Sequence, residues 1–150
     1  MAGIKLDITA TGIQTGVAAK TILQVGAPAN QRGKLLGWSI SFKGVTASDP
    51  PVRVRLLRQT SAGTFANVVT PAKHDPAYGE TVQSTAHSSA TAEPAAGDVI
   101  ATRQVHPQGG SYTERFPYGD EVPIPGGKWV GIETLASVDI QCDADLWYEE

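Results

Sequence analysis

Every second residue from Val138 to Tyr148 is apolar: Val138, Ile140, Cys142, Ala144, Leu146 and Tyr148, with Asp139, Gln141, Asp143 and Asp145 among the residues between them. An extended chain turns successive side chains to opposite sides, so this period of two puts one face on a core and the other in water. A helix cannot keep such a pattern on one face, because its period is 3.6. The alternation recurs with Ile4, Leu6 and Ile8 against Lys5, Asp7 and Thr9, and with Trp38, Ile40 and Phe42 against Ser39, Ser41 and Lys43. It recurs again with Val52, Val54 and Leu56 against Arg53 and Arg55. Repeated this often, it specifies half-buried antiparallel strands.

Further strands are predicted at 20–25, 97–105, 111–116 and 127–134, separated by turn-forming stretches such as "GAPANQRG", "TASDPP", "HDPAYGE" and "HPQGGS". Sixteen Gly and ten Pro in 150 residues leave little room for long helices. The stretch from Thr81 to Ala96 is rich in Ala, Ser and Thr and interrupted by Pro94, which predicts a small-residue strand followed by a loop. Eight to ten strands with short connections point to an all-β protein, an antiparallel β-sandwich of jelly-roll-like form, in a chain of the right length for one domain.

The chain carries a net charge of −3 with scattered Lys and Arg, so no footprint for nucleic acid or an anionic membrane is expected. Cys142 is the only cysteine, which excludes an intrachain disulfide and a multi-cysteine zinc site. No run of about 18 apolar residues and no apolar stretch of signal-peptide type occurs, so a soluble protein of the cytosol, or one released without secretion, is expected.

In "YGDEVPIPGGKW" (118–129), the spacing of Gly119, Pro125 and Gly127 resembles the start of the second signature of cupin β-barrels, which commonly hold a metal. A metal-binding cupin would want His at 130, an Asn further on, and paired His at 106 and 108. This chain has Val130, Thr134 and Gln108, leaving His106 with only Glu114 beyond it. A first-row metal needs three or four convergent ligands, so the stretch reads as a turn between strands. His74 and His87 read as surface imidazoles, and whether they approach His106 in space is left open. Cys142 falls on the apolar face of its strand and reads as an inert, buried thiol. Asp143 and Asp145 share a face about 6.5–7 Å apart, a spacing compatible with a glycosidase pair or a calcium site, but a solvated strand face is the simpler account. There is no Gly-x-Ser-x-Gly elbow and no phosphate loop. Trp38 is in phase with the core. Trp147 shares a face with acidic residues and reads as a contact point for another subunit. No catalytic, cofactor-binding or metal residue emerges, and a non-enzymatic protein without cofactors is expected.

The ordered segments "GVAAKTILQVGAPANQRGKLLGWSISFKG", "PPVRVRLLRQTSAGT", "SSATAEPAAGDVIATRQVHPQGG" and "FPYGDEVPIPGGKWVGIET" resemble small structural proteins of tailed bacteriophages, in particular capsid decoration (cement) proteins. The resemblance runs from about Gly16 to the C-terminus. It implies a small jelly-roll domain over residues 16–150 and a homotrimer on the outer surface of the virion capsid, made in the host cytoplasm. Its partners would be the major capsid protein and itself, with neither nucleic acid nor membrane. Residues 1–15 lie outside the resemblance and are expected to form an N-terminal arm, with Ile4, Leu6, Ile8 and Trp147 as candidate capsid or subunit contacts. Two alternatives stay open. One is a carbohydrate-binding or adhesive β-sandwich of a phage head fibre or tail, using Trp129, Trp147, Tyr112 or Tyr118 as a sugar platform. The other, less favoured, is a degenerate cupin-like metal enzyme.

Overall fold

A computed structural model describes residues 3–150 and shows twelve strands among them, all paired antiparallel. In chain order they are β1 (Lys5–Gln14), β2 (Lys20–Gly26), β3 (Gly33–Lys43), β4 (Val52–Gln59), β5 (Thr64–Val69) and β6 (Ala72–Lys73). Then follow β7 (Thr85–Ala92), β8 (Ala96–Val105), β9 (Gln108–Arg115), β10 (Val122–Ile124), β11 (Trp129–Leu135) and β12 (Gln141–Glu149). They form two sheets. The first runs β10-β3-β12-β1-β6, with β9 also pairing β3; the second runs β5-β7-β2-β11-β4-β8. The two pack face to face as an antiparallel sandwich of jelly-roll-like form, which closes the apolar faces read from the alternation onto one another.

The strongest alternation lies at the centre of the first sheet. β12 pairs with β3 on one side and β1 on the other, and Ile140, Cys142, Ala144, Leu146 and Tyr148 enter the core together. Val138 breaks ranks: it precedes β12 in a bend and is exposed, because the alternation has meaning only where the backbone is extended. Trp38, Ile40 and Phe42 of β3 and Val52, Val54 and Leu56 of β4 meet in the same core. The Ala/Ser/Thr stretch forms β7 and a short loop, as its composition suggested.

The expectation for residues 1–15 needs correcting. Of the described part, Lys5–Gln14 is no arm: β1 sits between β12 and β6, and Ile4 is tied to Glu150 by backbone hydrogen bonds of 2.9 and 3.0 Å. Leu6 and Ile8 are 1% and 0% exposed and Ile4 9%, so the three proposed contact residues belong to this chain's own core. Their side chains alternate in the way an interface arm would, but burying them against β12 and the second sheet removes the apolar area from water within one chain. β5, β6 and β10 were not anticipated. β6 has two residues and β10 three including Pro123, too few for a period to register, and β5 is an edge strand with no clean alternation.

The stretch at 118–129 is two turns flanking β10. Asp120 N–H donates to Pro117 O (2.9 Å) and Lys128 N–H to Pro125 O (3.0 Å), with Gly119 and Gly127 at φ +94° and +73°. Positive φ is what the glycines supply there, and the second turn delivers Trp129 into β11.

Candidate interaction surfaces

The groups considered for chemistry occupy separate settings. His74, just after β6, lies with Nδ1 2.9 Å from Asp7 Oδ2 on β1. His106 accepts the Gln108 N–H in the β8–β9 turn (3.0 Å). His87, on β7, lies between Phe65 and Trp129. Among the described residues no three His, Cys, Asp or Glu side chains gather as a metal ion requires. No helix of the described chain is long and apolar enough to cross a membrane.

The aspartates along β12 and its approach act within the fold. Asp145 accepts from Thr9 Oγ1, Asp143 from the Gly12 N–H and Asp139 from the Gly16 N–H, each at 2.8 Å. The register of β1 against β12 slips between Ala10 and Ile13, and Asp143 satisfies an amide that the slip leaves without a ladder partner. The two carboxylates lie on a solvated strand face, as expected, and from there act as acceptors for β1.

Cys142 is 1% exposed; its Sγ is 3.3 Å from Ile13 O. Burial, and then the charge of Asp143, push the thiol from 9.0 up to about 12. Tyr148 is 0% exposed and hydrogen-bonded to Ser84 Oγ at 3.0 Å; burial pushes its phenol from 10.0 up to about 12, with Glu150 acting in the same sense. Both groups are acids whose folded pKa lies above the unfolded one. Their contribution to stability is therefore complete below about pH 9 and lost as pH rises toward 12. The urea midpoint is expected to fall across that window, and Tyr148→Phe with Cys142→Ala is expected to flatten the fall. A midpoint unchanged up to pH 12 would show that neither group is held neutral by the fold.

The four aromatics considered for a sugar platform do not form one together. Tyr112 packs on Trp38 (centroids 5.1 Å apart) under the guanidinium of Arg103, 5.1 Å from its ring. Trp147 is half-buried, with the Arg115 guanidinium 3.5 Å from its ring centroid. Tyr118 is 98% exposed at the tip of the Pro117–Asp120 turn. Trp129 lies on the outer face of the second sheet next to His87, which stacks in turn on Phe65. Sequence reading missed these two neighbours, because the register that aligns three strands is not written in any one of them.

A different surface lies at one end of the sandwich, where the β1–β2, β3–β4 and β11–β12 loops meet. Val17, Val45 and Val138 are 65%, 87% and 43% exposed on these loops. Thr15 N–H donates to Ile140 O (2.9 Å) and Ile140 N–H to Thr15 Oγ1 (3.0 Å), tying the β1–β2 loop to the β11–β12 loop, while the β3–β4 loop is held at Gly44, whose N–H donates to Pro107 O (2.8 Å) in the β8–β9 turn. Val45 and Val138 line one shallow depression together with Lys43, Asp49 and Asp139. Apolar side chains on short, hydrogen-bonded loops are presented to solvent at little conformational freedom, which suits a contact with another protein.

No family model, no curated protein and no solved structure matches this chain. What the fold and its surfaces define is a class: an antiparallel β-sandwich of jelly-roll-like form, with exposed valines on the loops at one end and an aromatic row on the outer face of one sheet.

Proposed function

We propose that this chain is a non-enzymatic virion structural protein of a tailed phage, which binds the outside of the capsid as a homotrimer on the major capsid protein and braces the head. The observation that carries the reading is the valine-bearing end of the sandwich, where Val17 and Val138 project from loops tied to each other and Val45 shares a depression with Val138. A capsid lattice repeats the same contact many times, so a small apolar footprint on each subunit is multiplied by effective concentration once the copies are joined. The resemblance of the chain's ordered segments to capsid decoration proteins supports the same reading.

Electron microscopy of the assembled particle tests it, with the expected result that the chain lies on the capsid lattice with its valine end inward. Light scattering after size exclusion is expected to give three times the chain mass of 15.7 kDa. Val45→Asp combined with Val138→Asp is expected to abolish incorporation into particles while leaving the melting temperature within about 2 °C of the parent, since exposed positions cost little stability. A monomer in solution together with undiminished incorporation of the double variant would overturn the proposal.

A further inference from the structure

On the outer face of the second sheet, Trp129 of β11 lies flat across Gly26 of β2. A Cβ on Gly26 would fall among Cε3, Cζ3 and Cδ2 of the indole, so one face of the ring rests on backbone and the opposite face is directed away from the sheet. His87 of β7 stands beside it, centroids 5.5 Å apart, and Phe65 of β5 stands 5.4 Å beyond His87 at an interplanar angle of 22°. All three are half-buried.

Beneath this row runs a chain of hydrogen bonds whose direction is set from one end. The Glu93 carboxylate can only accept, and it takes the Thr21 N–H (2.8 Å) and the Thr21 hydroxyl (2.7 Å). Thr21 Oγ1, its proton committed, accepts from Gln59 Nε2 (3.0 Å), and Gln59 Oε1 in turn accepts from Gln24 Nε2 (2.7 Å). The chain therefore ends on the carbonyl oxygen of Gln24, a residue that is 0% exposed and directly opposite His87 in register. Gln24 Oε1 has no hydrogen-bond partner, and neither has Nδ1 of His87. A buried acceptor left unpaired is costly, so a donor brought to it contributes more than an exposed contact would. Burial lowers the His87 pKa, which keeps the imidazole neutral and able to accept at one nitrogen.

We infer that this face binds a neutral saccharide: a pyranose ring lies on the outer face of Trp129, and one of its hydroxyls donates to Gln24 Oε1 as the His87 ring turns aside. A sugar has the two properties the site asks for, an apolar ring face and hydroxyls that both donate and accept. The χ2 torsion of His87 is soft and no hydrogen bond fixes Nδ1, so the ring can move while keeping contact with the aromatic row. A carboxylate-bearing sugar would instead oppose its negative charge to the Gln24 carbonyl. This inference stands on its own, whether or not the chain binds a capsid.

Calorimetric titration with maltohexaose, cellohexaose and chitohexaose tests it, using the full chain. Saturable binding of at least one is expected, weakened about tenfold by Trp129→Ala and by Phe65→Ala and unchanged by Trp147→Ala. Phe65 lies on an edge strand, so its variant keeps the fold even if Trp129→Ala does not. Three results would each overturn the inference: no heat from any of the oligosaccharides at millimolar concentration; affinities unaltered in Phe65→Ala; or a concentration-dependent dimer, lost in Phe65→Ala, showing that a second copy of this chain covers the row.

Discussion

Trp38→Ala is expected to lower the unfolding free energy by about 3–5 kcal/mol, a large share of the ~5–15 kcal/mol that holds a domain of this size folded. Trp38 is 0% exposed, its ring meets Tyr112 at 5.1 Å, and its indole N–H donates to Glu114 Oε2 at 3.1 Å. Truncation leaves a cavity between the sheets and also strips Glu114 of its donor, with only Arg103 at 3.9 Å remaining. Trp38→Phe separates the two effects, because it keeps most of the apolar volume and loses the N–H. It is expected to cost about 1–3 kcal/mol. Urea denaturation of both variants measures the difference. Equal losses would mean that the hydrogen bond, and not the filled volume, accounts for the effect.

Gly33→Ala is expected to destabilise by about 1–3 kcal/mol or more, although alanine ordinarily suits a strand better than glycine does. Gly33 opens β3 against β10, and a Cβ there would fall inside the van der Waals shell of Tyr148 Oη, Cζ and Cε2. Tyr148 has nowhere to retreat: its ring is 0% exposed and Oη is hydrogen-bonded to Ser84, whose hydroxyl also bonds the Glu150 carboxylate. The nearest collision is with the phenolic oxygen, so Tyr148→Phe is expected to recover part of the loss. A double-mutant cycle by thermal denaturation reads this as coupling between the two sites. Additive losses would show that the clash is relieved by backbone movement instead.

The legible part of this protein was its alternation. Where a strand is long and half-buried, as β12, β3 and β4 are, one residue type repeats on one face often enough to name the core side chains: Trp38, Ile40, Val54, Leu146 and Tyr148 are all 0% exposed. The same pattern in Ile4, Leu6 and Ile8 was equally visible but was expected to face a partner. An alternating apolar face states that it will be covered, and says nothing about whether its own chain or another covers it. β6 and β10 were illegible because two or three residues carry no period.

The surfaces behaved differently. The glycine and proline spacing at 118–129 was readable as a turn, since positive φ and fixed φ are local properties of single residues. The valine end and the aromatic row were not readable. Val17, Val45 and Val138 come from three loops, and Trp129, His87 and Phe65 come from three strands, brought together by sheet order and register. The role of Asp143 and Asp145 was hidden for the same reason: whether a carboxylate on a wet face stands in water or bonds a neighbouring strand depends on which strand lies beside it.

The amino-acid sequence by itself determined that this chain is all-β, that its strands are half-buried and antiparallel, and which side chains of the long strands turn inward, because side-chain direction in an extended backbone follows from position alone. The tertiary structure alone decided that β1 belongs to the sandwich rather than to an arm. It also decided that Arg115 lies over the Trp147 ring, and that a directed hydrogen-bond chain from Glu93 ends on an unpaired oxygen beneath three rings. Those outcomes depend on the pairing of residues far apart along the chain, and a pairing is a property of the folded sheet that no single segment contains.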